Sequence, residues 1–372
     1  MLYLDNSATT PLLPEVKEAM LPYLLEEFGN PSSKYYSFAV QAKEAVETSR
    51  SNVAQLLGSK PEELTFTSGS TETNNMIIKG AADYYESKGK HIITSQAEHP
   101  SVLDTCKFLE EKGYEVTYLD VDSYGRVSVE DLEEAIKEET ILVSIMWGNN
   151  ELGSLNPIRE LSNMCLDKEV LFHTDATQVV GKVSFSLEDY QGITFLSCSA
   201  HKFHGPKGTG VAYIRRDEYG ISTPLTPLIH GGGQEQGIRS GTLAVHNIVG
   251  MGKAAELAYK HLDENIEKLQ RLEGMLKELL SEKFSSVLSF NNDDSNKIPG
   301  ILSVQFKGLN NEILVKKLSP VMAVSTGSAC SSSKPSHVLA AIGLSLDEVR
   351  NTIRFSLSHL INQEDLLIFK KL

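Results

Sequence analysis

The sequence predicts an α/β protein: a large domain on a mostly parallel β-sheet, followed by a smaller α+β domain. Two observations carry this. Between about residues 60 and 215, short β-rich runs alternate with amphipathic helical stretches, the mark of βα units with helices on the sheet faces. Beyond residue 250 an apolar stripe at steps of three and four leads past a polar, turn-rich stretch into a second mixed unit. Length agrees, since 372 residues correspond to roughly two to three domains.

In chain order the predicted strands are 64–67, 91–94, 141–147, 170–174, 193–198 and 210–214, with an amphipathic helix at 128–137 between two of them. One long helix is predicted over about 249–280, because Ala258, Leu262, Ile266, Leu269, Leu272, Leu276 and Leu279 form one stripe. After Asn291–Asn296 the second unit begins with a strand at 301–306.

Composition excludes several function classes. With 41% hydrophobic and 23% charged residues the chain is globular rather than disordered or fibrous. A net charge of −14, from 35 basic and 49 acidic residues, opposes non-specific nucleic-acid binding or an anionic-membrane surface. The opening MLYLDNSATTPLLP has neither a basic nor an apolar leader region, and no apolar run approaches the ~20 residues of a membrane span, so a cytoplasmic protein is expected. Cys106, Cys165, Cys198 and Cys330 lie far apart without a CxxC pair, which suggests neither a disulfide framework nor a zinc site.

In parallel sheets ligands bind beyond the carboxyl ends of the strands, so the residues after each run matter most. The first run leads into Ser68-Gly69-Ser70-Thr71-Glu72-Thr73-Asn74, small hydroxylated residues and glycine that suit a phosphate at a helix N-terminus. A plain Ser/Thr N-cap would look the same. Glu98-His99-Pro100, Asn149-Asn150-Glu151-Leu152-Gly153 and Asp175-Ala176-Thr177-Gln178 follow later runs. An aspartate there suits Mg²⁺ or the protonated nitrogen of a heterocycle that acts as an electron sink; each group singly is more often structural. Lys202, set among Ser199, His201, His204 and glycines, suits a Schiff base with an aldehyde cofactor, against the plainer reading of a loop lysine. His201 and His204 have no third ligand nearby in sequence, so no metal site is expected. The glycine-dense stretch 231–242 permits positive φ and close approach to a ligand, and equally describes a flexible loop.

Taken together and in order, these stretches resemble the pyridoxal-phosphate cysteine desulfurases of the class V aminotransferase family. The matching segments are DNSATTP (5–11), GNPSS (29–33), TSGSTETNN (67–75), EHPSV (98–102), NNELG (149–153), HTDATQ (173–178), SAHKFHGPKG (199–208), GGGQEQGIRSGT (231–242), GSAC (327–330) and IRFSL (353–357). The resemblance implies the fold-type-I transferase architecture, with a seven-stranded sheet in a large domain at 12–250 and a small domain formed by 1–11 and 251–372. It implies pyridoxal 5'-phosphate as cofactor, L-cysteine as substrate and a homodimer.

Residue by residue, the resemblance makes Lys202 the Schiff-base lysine, Asp175 the partner of the pyridinium nitrogen and Gln178 the group near the ring hydroxyl. His99 stacks on the ring and serves as acid/base. Ser70, Thr71, Ser199 and His201 grip the phosphate, and Thr242 reaches the neighbouring subunit's phosphate. Asn150 and Arg354 hold the substrate carboxylate. Cys330 takes sulfur from the substrate as a persulfide, passes it to an acceptor protein, and is compatible with a transient iron–sulfur ligand role; the other cysteines are structural.

GSAC resembles the iron–sulfur and nitrogenase-associated group, yet Pro335-Ser336-His337 follow Cys330 early and the chain ends about fifteen residues after IRFSL. Both features imply a shortened loop and docking surface. Iron–sulfur cluster assembly, tRNA thiolation and DNA phosphorothioation stay open as pathways. A selenocysteine lyase or another class V enzyme is the alternative, opposed by the thiol in GSAC.

Overall fold

The computed structural model describes residues 1–327 and 335–371. In chain order its strands are β1 (Leu2–Tyr3), β2 (Leu64–Thr67), β3 (His91–Ser95), β4 (Glu115–Leu119), β5 (Thr140–Ser144), β6 (Leu171–Asp175), β7 (Phe195–Ser199), β8 (Gly210–Ile214), β9 (Leu288–Phe290), β10 (Ile301–Phe306), β11 (Met322–Ala323) and β12 (Thr352–Ser356). Seven form one sheet in the order β2-β8-β7-β6-β5-β3-β4. Only β8 runs against its neighbours; the other pairings are parallel.

Alternation along the strands explains why both faces are covered. Ile93, Val143, Leu196 and Tyr213 pack into one apolar layer with the helices Pro14–Leu25, Ser37–Leu57 and Val245–Lys260. Their neighbours Ile92, Leu142, Phe195 and Ala212 face the opposite layer, under the helices Ser70–Tyr84 and Pro100–Glu110. Successive side chains of a strand point to opposite faces, so a sheet buried on both sides needs continuous apolar runs.

A separate cluster of buried side chains lies around β10 and β12, with Leu302, Val304, Ile353 and Phe355 against Leu269, Leu272, Leu276 and Leu279. Leu4 joins it through the parallel pairing of β1 with β11. A small group of Ala97, Leu152, Val338, Leu339 and Val349 ties the turns after β3 and β5 to the helix His337–Ala341.

Two details differ from expectation. The helix at 249–280 is two helices, Val245–Lys260 and Leu262–Phe284, meeting at His261 with φ −114° and ψ 16°. The stripe reads continuously, but the first helix buries Ile248, Met251 and Ala255 in the large-sheet layer and the second buries its leucines in the other cluster. One straight axis does not serve both. The strand β4 went unread because it is an edge strand whose side chains are mostly half-buried, which weakens its alternation.

Candidate active site

The strand ends on one side of the sheet converge on a cavity of about 220 Å³. At its base β2 ends in Thr67, and Gly69 (φ 148°) opens the helix Ser70–Tyr84 without a side chain to cap it. Gly210 permits this turn: a Cβ there would stand 2.6 Å from the Cys198 carbonyl oxygen and 2.7 Å from the Gly69 Cα. Ser70 and Thr71 reach the cavity wall. Ser199 lies just behind, its hydroxyl donating to the Thr209 carbonyl at 3.3 Å.

His201 follows in the turn Ala200–Lys202, lines the cavity, and has Nδ1 3.1 Å from the Thr9 hydroxyl. Burial, with the nearby Lys202 charge, pushes its imidazole down to about 4, so the ring is neutral at neutral pH.

The middle of the cavity is organised by a chain of hydrogen bonds. Asp175, at the end of β6, accepts from the Thr177 amide at 3.0 Å and from Asn74 Nδ2 at 2.8 Å. Asn74 Nδ2 also donates to Ser101 Oγ at 2.8 Å, which leaves the Ser101 proton for His99 Nδ1, 2.8 Å away. The Ser101 amide donates to the same ring nitrogen at 3.1 Å as His99 caps the helix Pro100–Glu110. An amide N–H can only donate, so Nδ1 is the acceptor and neutral His99 carries its proton on Nε2. Burial holds this imidazole below its ordinary value, partly offset by Asp175.

Lys202 forms the opposite wall. Its Nζ donates to the carbonyls of Ser7 and Ala8 at 2.7 and 2.8 Å. The Ser7 carbonyl also accepts from Gln178 Nε2 at 2.9 Å. The segment DNSATTP therefore closes the cavity over β6 and β7.

Asn150 lines the cavity, and its carbonyl accepts from Arg354 Nη1 at 3.0 Å. Arg354 itself is 1% exposed and stands behind Asn150; Nη1 also donates to the Gly327 carbonyl at 3.0 Å and Nη2 to Asp5 at 2.7 Å. Thr242 is exposed and lies outside this cavity. Cys330 lies outside the described residues, whose flanks meet at Glu151: Ser336 Oγ donates to its carboxyl at 2.6 Å, and a Cβ on Gly327 would stand 2.7 Å from the same oxygen. Burial raises that carboxyl above its ordinary range. Cys106, Cys165 and Cys198 are buried, each thiol pushed up to about 12 by burial, as befits packing rather than nucleophilic residues.

Sequence reasoning left Asn74, Ser101, Ser7 and Ala8 without roles, although all sit inside quoted motifs. Their density of small hydroxyl and amide side chains was the available signal.

The residues fit pyridoxal 5'-phosphate. Ser7 Oγ and Thr177 Oγ1 are buried on this wall without a hydrogen-bond partner among the described residues, groups that a polar ligand would satisfy. The uncapped helix start beside Ser70 and Thr71 suits a phosphate. Asp175 suits a ring nitrogen, and Lys202 an aldehyde.

The sequence profile of the aminotransferase class-V family matches residues 2–369. The chain is similar to a cysteine desulfurase IscS of Dictyoglomus turgidum, 46% identical over 368 residues, which span 98% of this chain and 91% of that one. Among solved structures, a NifS-like protein superposes with a TM-score of 0.91 at 39% identity, over 100% of this chain and 97% of the other. SspA in complex with cysteine superposes with a TM-score of 0.84 at 39% identity, over 96% and 99%.

Proposed function

Because the chain belongs to the aminotransferase class-V family, and within it to the cysteine desulfurases, we propose that it converts L-cysteine to L-alanine and holds the released sulfur as a persulfide on Cys330. The observation that carries this reading is the meeting of Lys202, Asp175, His99, Gln178 and the Ser70–Thr71 turn at one cavity from four separate segments. Pyridoxal phosphate, when bound, supplies the electron sink that makes the substrate's α-carbon acidic.

The chain's own residues do the rest. Ser70, Thr71, Ser199 and His201 hold the phosphate, and Asp175, steadied by Asn74 and the Thr177 amide, keeps the ring nitrogen protonated. Lys202, held by two carbonyls, takes the α-proton. His99, with Nδ1 occupied by Ser101, offers the Nε2 proton to the substrate side of the cavity as a donor. Asn150, backed by Arg354, orients the carboxylate. The Cys330 thiolate then attacks the substrate sulfur: an S–S bond forms, the C–S bond breaks, and its electron pair stays with the carbon skeleton, which is protonated to alanine.

The described flank of this thiol, Gly327, has its carbonyl on the same Arg354 Nη1 as the Asn150 carbonyl, each at 3.0 Å.

The test is Cys330→Ser. It should keep the cofactor's visible absorbance and its change on adding cysteine, while producing alanine-linked sulfide at a small fraction of the wild-type rate. Turnover at the wild-type rate would refute Cys330 as the acceptor.

The same reading makes the chain a cytoplasmic homodimer that hands sulfur to an acceptor protein, with the domain division drawn near residue 250, although Met251, Ala254 and Ala255 still pack in the large-sheet layer. The dimer is supported by an exposed apolar group, Phe28, Tyr35, Tyr36, Phe38 and Val40, and by Thr242, which follows an exposed but pinned loop. That loop is fastened by Arg50 to Glu235 at 2.7 Å and by Arg239 to Glu72 at 2.7 Å. Among the described residues no helix is long and apolar enough to cross a membrane.

A further inference from the structure

The Gln178 amide reaches the cofactor cavity with two ends of opposite chemistry, an oxygen that accepts and an NH₂ that donates. Its two neighbours decide which end goes where. Lys182 Nζ lies 2.9 Å from Oε1, and an ammonium has donors only. The Ser7 carbonyl oxygen lies 2.9 Å from Nε2 and can only accept. Rotating the amide by half a turn would set donor against donor and acceptor against acceptor. One N–H of Nε2 is then committed to Ser7, and the other is left for the cavity, whose wall Gln178 forms.

We propose that Lys182 is a positioning residue for the reaction: through Oε1 it locks the Gln178 amide so that an N–H, and not a carbonyl, is presented to the cofactor's ring oxygen. The proposal rests on the reading of Gln178 as the group beside that oxygen. An N–H there stabilises the oxygen as an anion, whereas a carbonyl would repel it.

The setting of Lys182 suits a fixed internal role. It lies four residues after Gln178, in the turn that follows β6, and borders an interdomain cavity of about 390 Å³ behind the site. The protein around its ammonium, with the charges of Lys202 and Arg354, pushes it down to about 7. The neutral amine retains N–H donors but gains a lone pair, so after loss of the proton the Ser7 carbonyl alone forbids the flipped amide. Ser7 joins the two lysines: its carbonyl accepts from both Lys202 and Gln178. Lys182, Gln178, Ser7 and Lys202 thus form one continuous chain of hydrogen bonds from the interdomain cavity to the reacting amine.

The test reads the visible absorbance of the pyridoxal-phosphate-loaded enzyme against pH, without substrate. In Lys182→Met the midpoint should rise by about one unit, a tenfold gain in proton affinity, because the ring oxygen anion loses its donor and binds its proton more tightly. Lys182→Arg retains a donor and should restore the wild-type midpoint. Removing a positive charge would also raise the midpoint, so a double-mutant cycle separates the two causes. If the lysine acts through the amide, Gln178→Leu gives the same rise and Lys182→Met adds nothing to it. Additive shifts, or an unmoved midpoint in Lys182→Met, overturn the proposal. If Lys182→Met does not fold, Lys182→Arg with a shifted midpoint overturns it as well. Failure of the wild-type chain to develop a visible band with pyridoxal phosphate would instead overturn the reading of the site, and the proposal with it.

Discussion

Asn74→Ala tests the hydrogen-bond chain that joins Asp175 to His99. The substitution removes two buried bonds of 2.8 Å, one to a carboxylate and one to the Ser101 hydroxyl. A bond to a charged group contributes about 1.5–3 kcal/mol and a neutral one about 1 kcal/mol. Asn74 Oδ1 has no partner among the described residues, so its removal returns about 1 kcal/mol. The net loss is about 2.5 kcal/mol. With unfolding entropy of about 2.1 cal/mol/K per residue, 372 residues give about 0.8 kcal/mol/K, and the Tm falls by about 3 °C. Thermal and denaturant unfolding of the chain without cofactor measure this directly. The functional consequence is separate: Ser101 loses the donor that aims its proton at His99, so Ser101→Ala in the Asn74→Ala background should cost about 1 kcal/mol less than in the wild type. An unchanged Tm for Asn74→Ala, or strictly additive losses in the double variant, would refute the chain as a working unit.

Three further outcomes are expected. Glu98 is fully buried, accepts from Ser95 Oγ and the Met146 amide at 2.8 Å each, and is pushed by burial from 4.5 up to about 8. Folding therefore retains a proton that the unfolded chain has lost between those values, so stability falls as pH rises through that window and is level above it. Glu98→Gln should flatten that slope in denaturant midpoints taken from about pH 5 to about pH 9; a persisting slope would assign it elsewhere. Arg50→Met should lower stability by about 3–5 kcal/mol, because Glu235, 2% exposed, keeps only the Phe66 amide at 2.7 Å as a strong donor. The same variant should loosen the loop that carries Thr242, read as faster amide exchange there. Gly210→Ala should weaken pyridoxal-phosphate binding at least tenfold, since its Cβ would displace Gly69 at the phosphate end; titration of the visible band measures it, and unchanged affinity would show that Gly69 tolerates the shift.

The local signals in the sequence are those whose physics is local. Alternation and helical stripes follow from which faces are covered, so six strands of the main sheet, the strand at 301–306 and the capped helix after Ser128 were readable. Glycine, proline and hydroxyl residues mark turns because of their own backbone preferences, so the site motifs stood out where β2, β3, β5, β6 and β7 end. The kind of chemistry came from the motifs taken together and in order, which resemble the cysteine desulfurases; the amine, the carboxylate and the imidazole taken singly were as compatible with structural roles. The break at His261 was not readable, because a single apolar stripe carries no information about which of two cores each half joins.

Partnership was decided only in three dimensions. Asn74, Ser101 and Asp175 come from three segments, after β2, after β3 and at the end of β6, that meet at one cavity across the order β2-β8-β7-β6-β5-β3-β4, and no local pattern encodes that order. The placing of Ser7 and Ala8 over Lys202 depends on β1 pairing with β11, more than three hundred residues away in the chain. The resemblance assigns Arg354 to the substrate carboxylate, yet its position behind Asn150, held to Asp5, is a property of packing. Hydrogen bonds act over about 3 Å and require direction as well as distance. A linear sequence states which groups are present, and only the folded chain states which of them are close enough, and aimed well enough, to act together.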